Sequence, residues 1–360
     1  MSVRWLVAVV LVVATAGAAL AAAGPAGGQD PHGEALAAAD DFLDRYVQPS
    51  GRVARLDQGG DTVSEGQAYA MLLAAAIGDE DRFRHVWAWT DQHLQRSDRL
   101  LAWRWADGGV ADWTPATDAD LMAAGALSLA GERFHDPALS LEATRMSSAI
   151  LRLEAARYGT RHVLLAGPWA RHERVVNASY FVAGMMSRLW WAGDRRWAPV
   201  AASSRDMLEE LTASAPHLPP DWSTLDASGA DPVARAAPSG ESPRYGYEAA
   251  RAVVQLAVDC DARGRAVAAR VWPFLEREGA GRLVASYALT GQALDTDTHA
   301  LAYVAAAAAA AAAGDADDAA RLLDAAGAHD DRSPTYYGAA WTALARLWLD
   351  TDLLGGCRPG

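Results

Sequence analysis

Residues 61–76, DTVSEGQAYAMLLAAA, place one carboxylate where a strongly apolar helical stretch begins. Glu65 lies between a serine and a glycine, and the residues after it are apolar at helical spacing. A structural interpretation is available, because Ser64 can cap the helix and Glu65 suits the positive end of the helix dipole. A catalytic role for this carboxylate is the alternative.

A second helical stretch begins in the same way. Residues 116–127 read ATDADLMAAGAL, an acidic start followed by an apolar run. Thr117 or Asp118 can cap this helix, and Asp120 falls in its first turn. Taken alone, this pattern is typical of ordinary N-capping.

A third acidic helix start follows at residues 245–251, YGYEAAR. Glu248 and Arg251 are three residues apart, so they can pair on a helix surface. Together, however, the three segments supply acidic side chains at the same position of three helices. In a ring of helices such starts converge on one cleft, and paired carboxylates across a cleft are the apparatus of glycoside hydrolysis.

Helical periodicity extends over almost the whole chain, and the two-residue alternation of β-strands is nearly absent. About twelve helices are predicted, near residues 34–47, 66–77, 79–96, 118–131, 138–156, 178–192, 197–213, 246–260, 264–277, 297–313, 315–327 and 336–350. This number of helices fits a solenoid or a barrel of helical hairpins, and no fixed repeat is visible. Residues 98–117 and 215–245 are the least helical, and long loops of this kind are usually functional or disordered.

The composition restricts the possible partners. The chain has 360 residues, 51% of them hydrophobic, and a formal net charge of −13. All 32 basic residues are arginine. An acidic chain argues against nucleic acid or an anionic membrane as the main partner. Fourteen tryptophans against five phenylalanines suit a ligand that is partly apolar and partly hydroxylated, although core packing is the commoner use of a tryptophan.

The N-terminus predicts export. Residues 1–23 form one apolar run behind a single arginine and end in small residues, which indicates a signal peptide or a membrane anchor. Residues 24–33 are predicted to be a flexible spacer. We expect residues 34–355 to form a single domain.

The cysteines and histidines do not indicate a metal site. Cys260 and Cys357 lack metal-binding spacing, and a disulfide between them is possible in an oxidising compartment. The nine histidines form no H-E-x-x-H or comparable pattern. We therefore expect neither a metal nor another cofactor.

Three segments, SEGQAYAM, ATDADLMAAGAL and YGYEAAR, resemble the signature segments of glycoside hydrolase family 8. Supporting segments in the same order include NASYF, LPPDW and SPTYYGAAWTALARLWLD, so the resemblance covers roughly residues 51–350. It implies an all-α fold, an (α/α)6 barrel, and inverting hydrolysis of β-1,4-linked glucans. LPPDW and the compact length are most similar to the cellulases that accompany bacterial cellulose synthases, which makes such a synthase a candidate partner.

The resemblance implies a role for each acidic residue. Glu65 matches the general acid, and Asp118 matches the carboxylate that contacts and distorts the sugar. Glu248 matches the base, where cellulases of this family usually have aspartate. The extra methylene matters, because a misplacement of about 1 Å can cost on the order of 10²-fold in rate.

Other departures and positions follow from the same resemblance. Ala70 stands where the family usually has glycine. Chitosanase-like members draw their base from a loop elsewhere, which leaves three backup candidates: Asp226, Asp231 and Glu241. The expected substrate-binding residues are Trp103, Trp105, Tyr180, Trp222, Tyr247 and Arg251, and Arg251 can also orient Glu248.

The resulting hypothesis is an exported, monomeric, metal-free endo-β-1,4-glucanase. A chitosanase or xylanase on the same scaffold is the near alternative. A weakly active glucan-binding protein that aids polysaccharide export is the alternative of another class, and the glutamate at position 248 is the feature that supports it.

Overall fold

A computed structural model describes residues 30–226, 228–229 and 231–357. Within these residues there are twelve α-helices: α1 (Pro31–Tyr46), α2 (Ser64–Ile77), α3 (Glu80–His93), α4 (Thr117–Arg133), α5 (Pro137–Leu153), α6 (Ala183–Trp191), α7 (Trp197–Leu211), α8 (Tyr247–Ala257), α9 (Ala262–Glu278), α10 (Ala300–Ala313), α11 (Ala316–Arg332) and α12 (Tyr336–Asp350). Each corresponds to one predicted helix. The largest errors are five residues: α6 is predicted to begin at residue 178, where Ala178–Tyr180 form a separate 3-10 turn, and α11 extends to Arg332 beyond the predicted end at 327.

The helices form two concentric rings. The even-numbered helices contact one another in the closed order α2, α4, α6, α8, α10, α12 and back to α2. The odd-numbered helices pack outside them, each against at least one inner helix. Six inner and six outer helices make an (α/α)6 barrel, so the predicted fold class is confirmed.

Inner and outer helices differ in how much of their surface is buried. Almost every residue of α2 and α4 is buried, whereas α5 buries one face only. Small residues allow the inner helices to approach closely: a Cβ added at Gly66 would lie 2.5 Å from the Tyr336 hydroxyl. The alanine run of α10 is likewise buried in the inner ring. No helix in the described part of the chain has the length and apolarity to cross a bilayer.

Short β-strands pair within and between the loops that connect the helices. The described residues contain β1 (Thr62–Val63), β2 (Arg104–Ala106), β3 (Gly109–Asp112), β4 (Ala155–Tyr158), β5 (Arg161–Leu164), β6 (Val175–Asn177), β7 (Trp222–Leu225), β8 (Pro232–Ala234), β9 (Arg244–Tyr245) and β10 (Tyr287–Ala288). They pair antiparallel in the orders β1-β2-β3, β4-β5, β6-β7-β8 and β9-β10. The sequence prediction missed them, because strands of two to four residues are too short to display alternation.

These strands fix the entrances to the inner helices. β1 runs directly into α2, and β9 ends one residue before the start of α8. The two long loops predicted from the sequence contain β2 with β3, and β7 with β8 and β9. Pairing between loops therefore holds the helix starts that carry the acidic residues.

Both ends of the domain can be compared with the prediction. Cys260 and Cys357 form a disulfide that joins the α8–α9 connection to the C-terminal segment. The predicted leader, residues 1–23, lies outside the described residues, as does most of the spacer. Helix α1 begins at Pro31, inside the predicted spacer, because proline is well tolerated in the first turn of a helix.

Candidate active site

The first turns of α2, α4 and α8 meet around one buried arginine. Arg251 Nη1 lies 2.8 Å from Asp118 Oδ2 and 3.3 Å from Glu65 Oε1. Arg251 Nη2 donates to Glu248 Oε2. Three carboxylates from three inner helices therefore share one guanidinium, as expected if helix starts converge at one rim of the barrel.

The surroundings of Arg251 are almost free of solvent. Its side chain is 2% exposed, and its guanidinium lies 5.8 Å from the ring centres of Tyr337 and Trp341. Arg251 Nη1 also donates to the hydroxyl of Tyr69 at 3.2 Å. A buried cation needs such partners. One cation beside three carboxyl groups leaves an excess of negative charge, which favours protonation of one of them.

Glu65 has the surroundings of a proton donor. Its side chain is 20% exposed, and Oε2 accepts a long 3.4 Å hydrogen bond from Trp103 Nε1. Burial, reinforced by the charges of Asp118 and Glu248, raises the pKa of Glu65 to about 7. Arg251 and Trp103 oppose that rise only in part. A carboxyl group with this pKa carries a proton under mildly acidic to neutral conditions.

Asp118 is the most buried of the three carboxylates. It is 1% exposed, and Oδ1 accepts from its neighbour Ala119 N at 2.9 Å. Burial raises the pKa of Asp118, the charge of Glu248 adds to the rise, and Arg251 opposes both. Its 2.8 Å contact with Arg251 fixes the side chain, so Asp118 suits a positioning role better than proton transfer to solvent.

Glu248 is held by several donors at a single oxygen. Oε2 accepts from Asn177 Nδ2 at 2.9 Å as well as from Arg251. Ser179 Oγ lies 3.0 Å from the same oxygen and 2.7 Å from Asn177 Oδ1, so its one proton serves one acceptor at a time. Glu248 remains 27% exposed, which leaves it accessible to water.

An open cavity of about 460 Å³ adjoins this cluster. Its walls include Glu65, Glu248, Tyr247, Tyr337 and His299. Burial is the main reason that the pKa of His299 falls to about 4, so the imidazole is neutral at physiological pH. Carboxylates, hydroxyls and aromatic rings on one wall can contact both faces and edges of a sugar.

The protein-family model described as "Glycosyl hydrolases family 8" matches residues 8–351 of this chain. The chain belongs to glycosyl hydrolase family 8. The predicted family resemblance is confirmed.

Individual relatives of this family 8 chain are named as endoglucanases. It is 34% identical over 219 residues to a "Probable endoglucanase" of Novacetimonas hansenii, covering 58% of this chain and 63% of that protein. It is 29% identical over 233 residues to an "Endoglucanase" of Cellulomonas uda, covering 61% and 63%. The chain thus spans about 63% of the length of these curated relatives. The solved structure of "endo-beta-1,4-glucanase CMCax from Acetobacter xylinum" is similar with a TM-score of 0.75 and 28% identity, covering 88% of this chain and 98% of that one.

Two of the predicted aromatic residues of this family 8 protein lie beside the carboxylates. Trp103 contacts Glu65, and Tyr247 lies directly before Glu248 with its side chain 40% exposed. The Tyr247 ring packs edge-on against His299, with ring centres 5.1 Å apart. The rings of Tyr247 and His299 are therefore both available in the wall of the cavity.

The other three predicted aromatic residues pack against ring partners of their own. Trp105 packs against Trp89 and His93, with ring centres 5.5 and 4.8 Å away. Tyr180 is buried and meets the half-buried Trp222 edge-on at 6.3 Å. Burial raises the pKa of Tyr180, with the charges of the nearby carboxylates as secondary causes.

The backup base candidates lie in the segment between β7 and β9. Asp226 accepts from Ser228 Oγ at 2.7 Å, within the β7–β8 turn. Asp231 is exposed in the same hairpin, and exposed Glu241 accepts from Ser239. Glu248, by contrast, lies within the carboxylate cluster.

The capping interpretations of the first two motifs are wrong. The cap positions of α2 and α4 are Val63 and Ala116, which supply no side-chain hydrogen bond. Ser64 and Thr117 are instead buried inside the helices. The Glu248–Arg251 pair exists, but it is buried at the rim and not on a solvated helix face.

Sequence reasoning missed several residues that support the cluster. Asn177 and Ser179 hold Glu248, and Tyr69 contacts Arg251. Asn177 and Ser179 lie within the NASYF segment, so the family resemblance contained a signal for them. Tyr69 is four residues after Glu65, one helical turn along the same face, which was a second available signal.

Proposed function

We propose that this chain is an exported endo-β-1,4-glucanase that hydrolyses its substrate with inversion. One observation carries the proposal. Glu65 and Glu248 face one cavity and share Arg251, but their surroundings differ: burial raises the pKa of Glu65 to about 7, and Glu248 accepts hydrogen bonds from Asn177 and Arg251. A glycosidase needs this pairing of a protonated acid with an ionised base.

The proposed reaction assigns one step to each carboxylate. Glu65 donates its proton to the glycosidic oxygen as the bond from that oxygen to the anomeric carbon breaks. A water molecule attacks the anomeric carbon from the opposite face, and Glu248 takes a proton from this water. Asp118, fixed by Arg251, contacts the sugar at the cleavage point and favours its distorted ring.

The substrate class and the cellular context belong to the same proposal. The names of the relatives favour β-1,4-glucan. The apolar run at residues 1–23 supports export, as a secreted or anchored monomer that acts alone or beside a cellulose synthase.

A substrate panel tests the activity. Soluble β-1,4-glucan, chitosan and xylan are incubated with wild type and with Glu65→Gln, and new reducing ends are measured. We expect hydrolysis of the glucan by wild type alone, and viscosity should fall early because internal bonds are cut. Faster hydrolysis of chitosan or xylan would reassign the substrate. Retained glucan binding with no hydrolysis would favour a binding protein.

Proton NMR of fresh product tests the mechanism. Inversion at a β-linkage should produce the α-anomer first, before mutarotation. Initial appearance of the β-anomer would refute direct attack by water.

A further inference from the structure

The side chain that caps α8 comes from a distant part of the chain. Several other helices are capped locally; for example, Asp136 accepts from Ala138 N at the start of α5. At α8 the cap position is Gly246, which has no side chain. Asp221 takes over this function, since its Oδ1 accepts from Gly246 N at 2.9 Å and from Ala249 N at 2.8 Å.

These two amides flank Glu248. Gly246 precedes the first turn of α8, and Ala249 directly follows Glu248. Gly246 also makes room for the carboxylate, because a Cβ at this position would lie 2.6 Å from Asp221 Oδ2. The φ of Gly246 is −145°, outside the left-handed region that favours glycine, so space is the reason for glycine here.

The backbone of Asp221 connects the same carboxylate to its side-chain partners. Asp221 O accepts from Ala178 N at 3.4 Å, and the next residue, Trp222, pairs with Asn177 across β6 and β7. Asn177 in turn donates to Glu248. Asp221 thus lies between the main chain that carries Glu248 and the side chain that orients it.

Asp221 is poorly suited to act on substrate itself. It is only 6% exposed, and Oδ1 is occupied by two amides. Burial raises the pKa of Asp221 to about 6, and the charge of Glu248 contributes to the rise. At neutral pH it is therefore an anion, which is the form that binds helix N–H groups most strongly.

We propose that Asp221 is a positioning residue that fixes the first turn of α8, and with it the carboxylate of Glu248, by accepting the N–H groups of Gly246 and Ala249. The inference rests on the proposed role of Glu248 as base. Glutamate has one more rotatable bond than the aspartate usual in the family, so a rigid backbone at position 248 matters more for its reach.

The experiment compares Asp221→Ala with Asp221→Asn in the full chain. The alanine variant loses the acceptor, and we expect kcat on soluble β-1,4-glucan to fall 10- to 100-fold with KM within twofold. The asparagine variant keeps an acceptor oxygen, and its kcat should fall by no more than about threefold. Equal losses in both variants, or an unchanged kcat in Asp221→Ala, would overturn the proposal.

Two further variants test whether a loss of kcat comes from the Asp221 contact or from general destabilisation of the fold. Gly246→Ala keeps the Asp221 carboxylate and displaces it from the amides, so we expect a loss of kcat close to that of Asp221→Ala. Asp136→Ala removes a local cap from an outer helix. It should lower the melting temperature and leave kcat unchanged. If its kcat fell as much as that of Asp221→Ala, Asp221 would have no role beyond general helix capping.

Hydrogen exchange separates this inference from the proposed function. Exchange at the amides of Gly246 and Ala249 should accelerate in Asp221→Ala and remain slow in Asp221→Asn. If wild type hydrolyses no glycan, the proposed function fails. The exchange measurement still decides whether Asp221 holds the amides of Gly246 and Ala249, a contact we call the clamp. Unchanged exchange in Asp221→Ala would reject the clamp even in an active enzyme.

Discussion

The surroundings of Glu65 and Glu248 differ, although both residues lie in the first turn of an inner helix. Glu65 receives one long hydrogen bond from Trp103 and a 3.3 Å contact with Arg251. Glu248 has Asn177, Ser179 and Arg251 around a single oxygen. Donors stabilise a carboxylate, and burial beside other anions stabilises a carboxylic acid. The same helix position therefore places the two carboxyl groups in different surroundings, which supports the proposed division into an acid and a base.

The largest effect should come from removing the proton donor. Glu65→Gln keeps an oxygen for Arg251 and loses the transferable proton, so we expect kcat to fall about 10³- to 10⁴-fold. Binding of soluble β-1,4-glucan, measured by calorimetry, should persist. Glu241→Gln, in an exposed loop, is the matched control and should behave as wild type. Activity of Glu65→Gln near the wild-type level would remove Glu65 from its assigned role.

The same substitution should stabilise the folded protein at high pH. The pKa of Glu65 is about 7 in the folded chain and 4.5 in the reference state, so the folded state holds this proton more tightly. Wild type consequently loses stability as the pH rises from about 4.5 to 7, by on the order of 3 kcal/mol. Glu65→Gln avoids that loss.

Chemical unfolding at several pH values measures this difference. Above pH 7, Glu65→Gln should exceed wild type in free energy of unfolding, and the gap should close toward pH 4.5. A gap that is constant over the whole range would mean that Glu65 does not titrate with a raised pKa.

Glu248→Asp tests whether the second site is built for glutamate. The donors of Asn177 and Ser179 are placed at the glutamate oxygen, so the shorter side chain should miss them and the attacking water. We expect kcat to fall about 10²-fold with little change in KM. A gain in kcat would instead mean that glutamate at 248 is a handicap, which would favour a weakly active binding protein.

The helices and the clustered carboxylates could be predicted from the sequence. The strand pairs and hydrogen bonds that position those carboxylates could not. The twelve described helices follow from periodicity, because the inner helices are apolar runs and the outer helices have one apolar face. Glu65, Asp118 and Glu248 were found by their shared place at helix starts and by resemblance. Arg251 was found in the same way, but the sequence left a surface pair as an equal alternative.

The missed features have a common physical cause. Strand pairs such as β6 with β7, and the contacts of Asn177 and Asp221 with α8, join segments far apart in the chain. Local periodicity carries no information about such pairs. Asp221 was visible within LPPDW, yet nothing in that segment indicates that its carboxylate binds amides 25 and 28 residues later.

The smallest effect should come from Trp103, whose indole donates to Glu65. The hydrogen bond from Trp103 Nε1 stabilises the ionised form of Glu65 and lowers its pKa. Trp103→Phe removes this donor and keeps an aromatic face, so the pKa of Glu65 should rise further. The acid then stays protonated to higher pH, and the basic limb of the kcat/KM profile, near pH 7 in wild type, should move upward by less than one unit. Trp105→Phe is the matched control, since Trp105 packs against Trp89 and His93, and its basic limb should not move. A downward shift in Trp103→Phe, or equal shifts in both variants, would mean that the Trp103 hydrogen bond does not set the protonation of Glu65. The contrast between the two carboxylates would then depend on burial and charge alone.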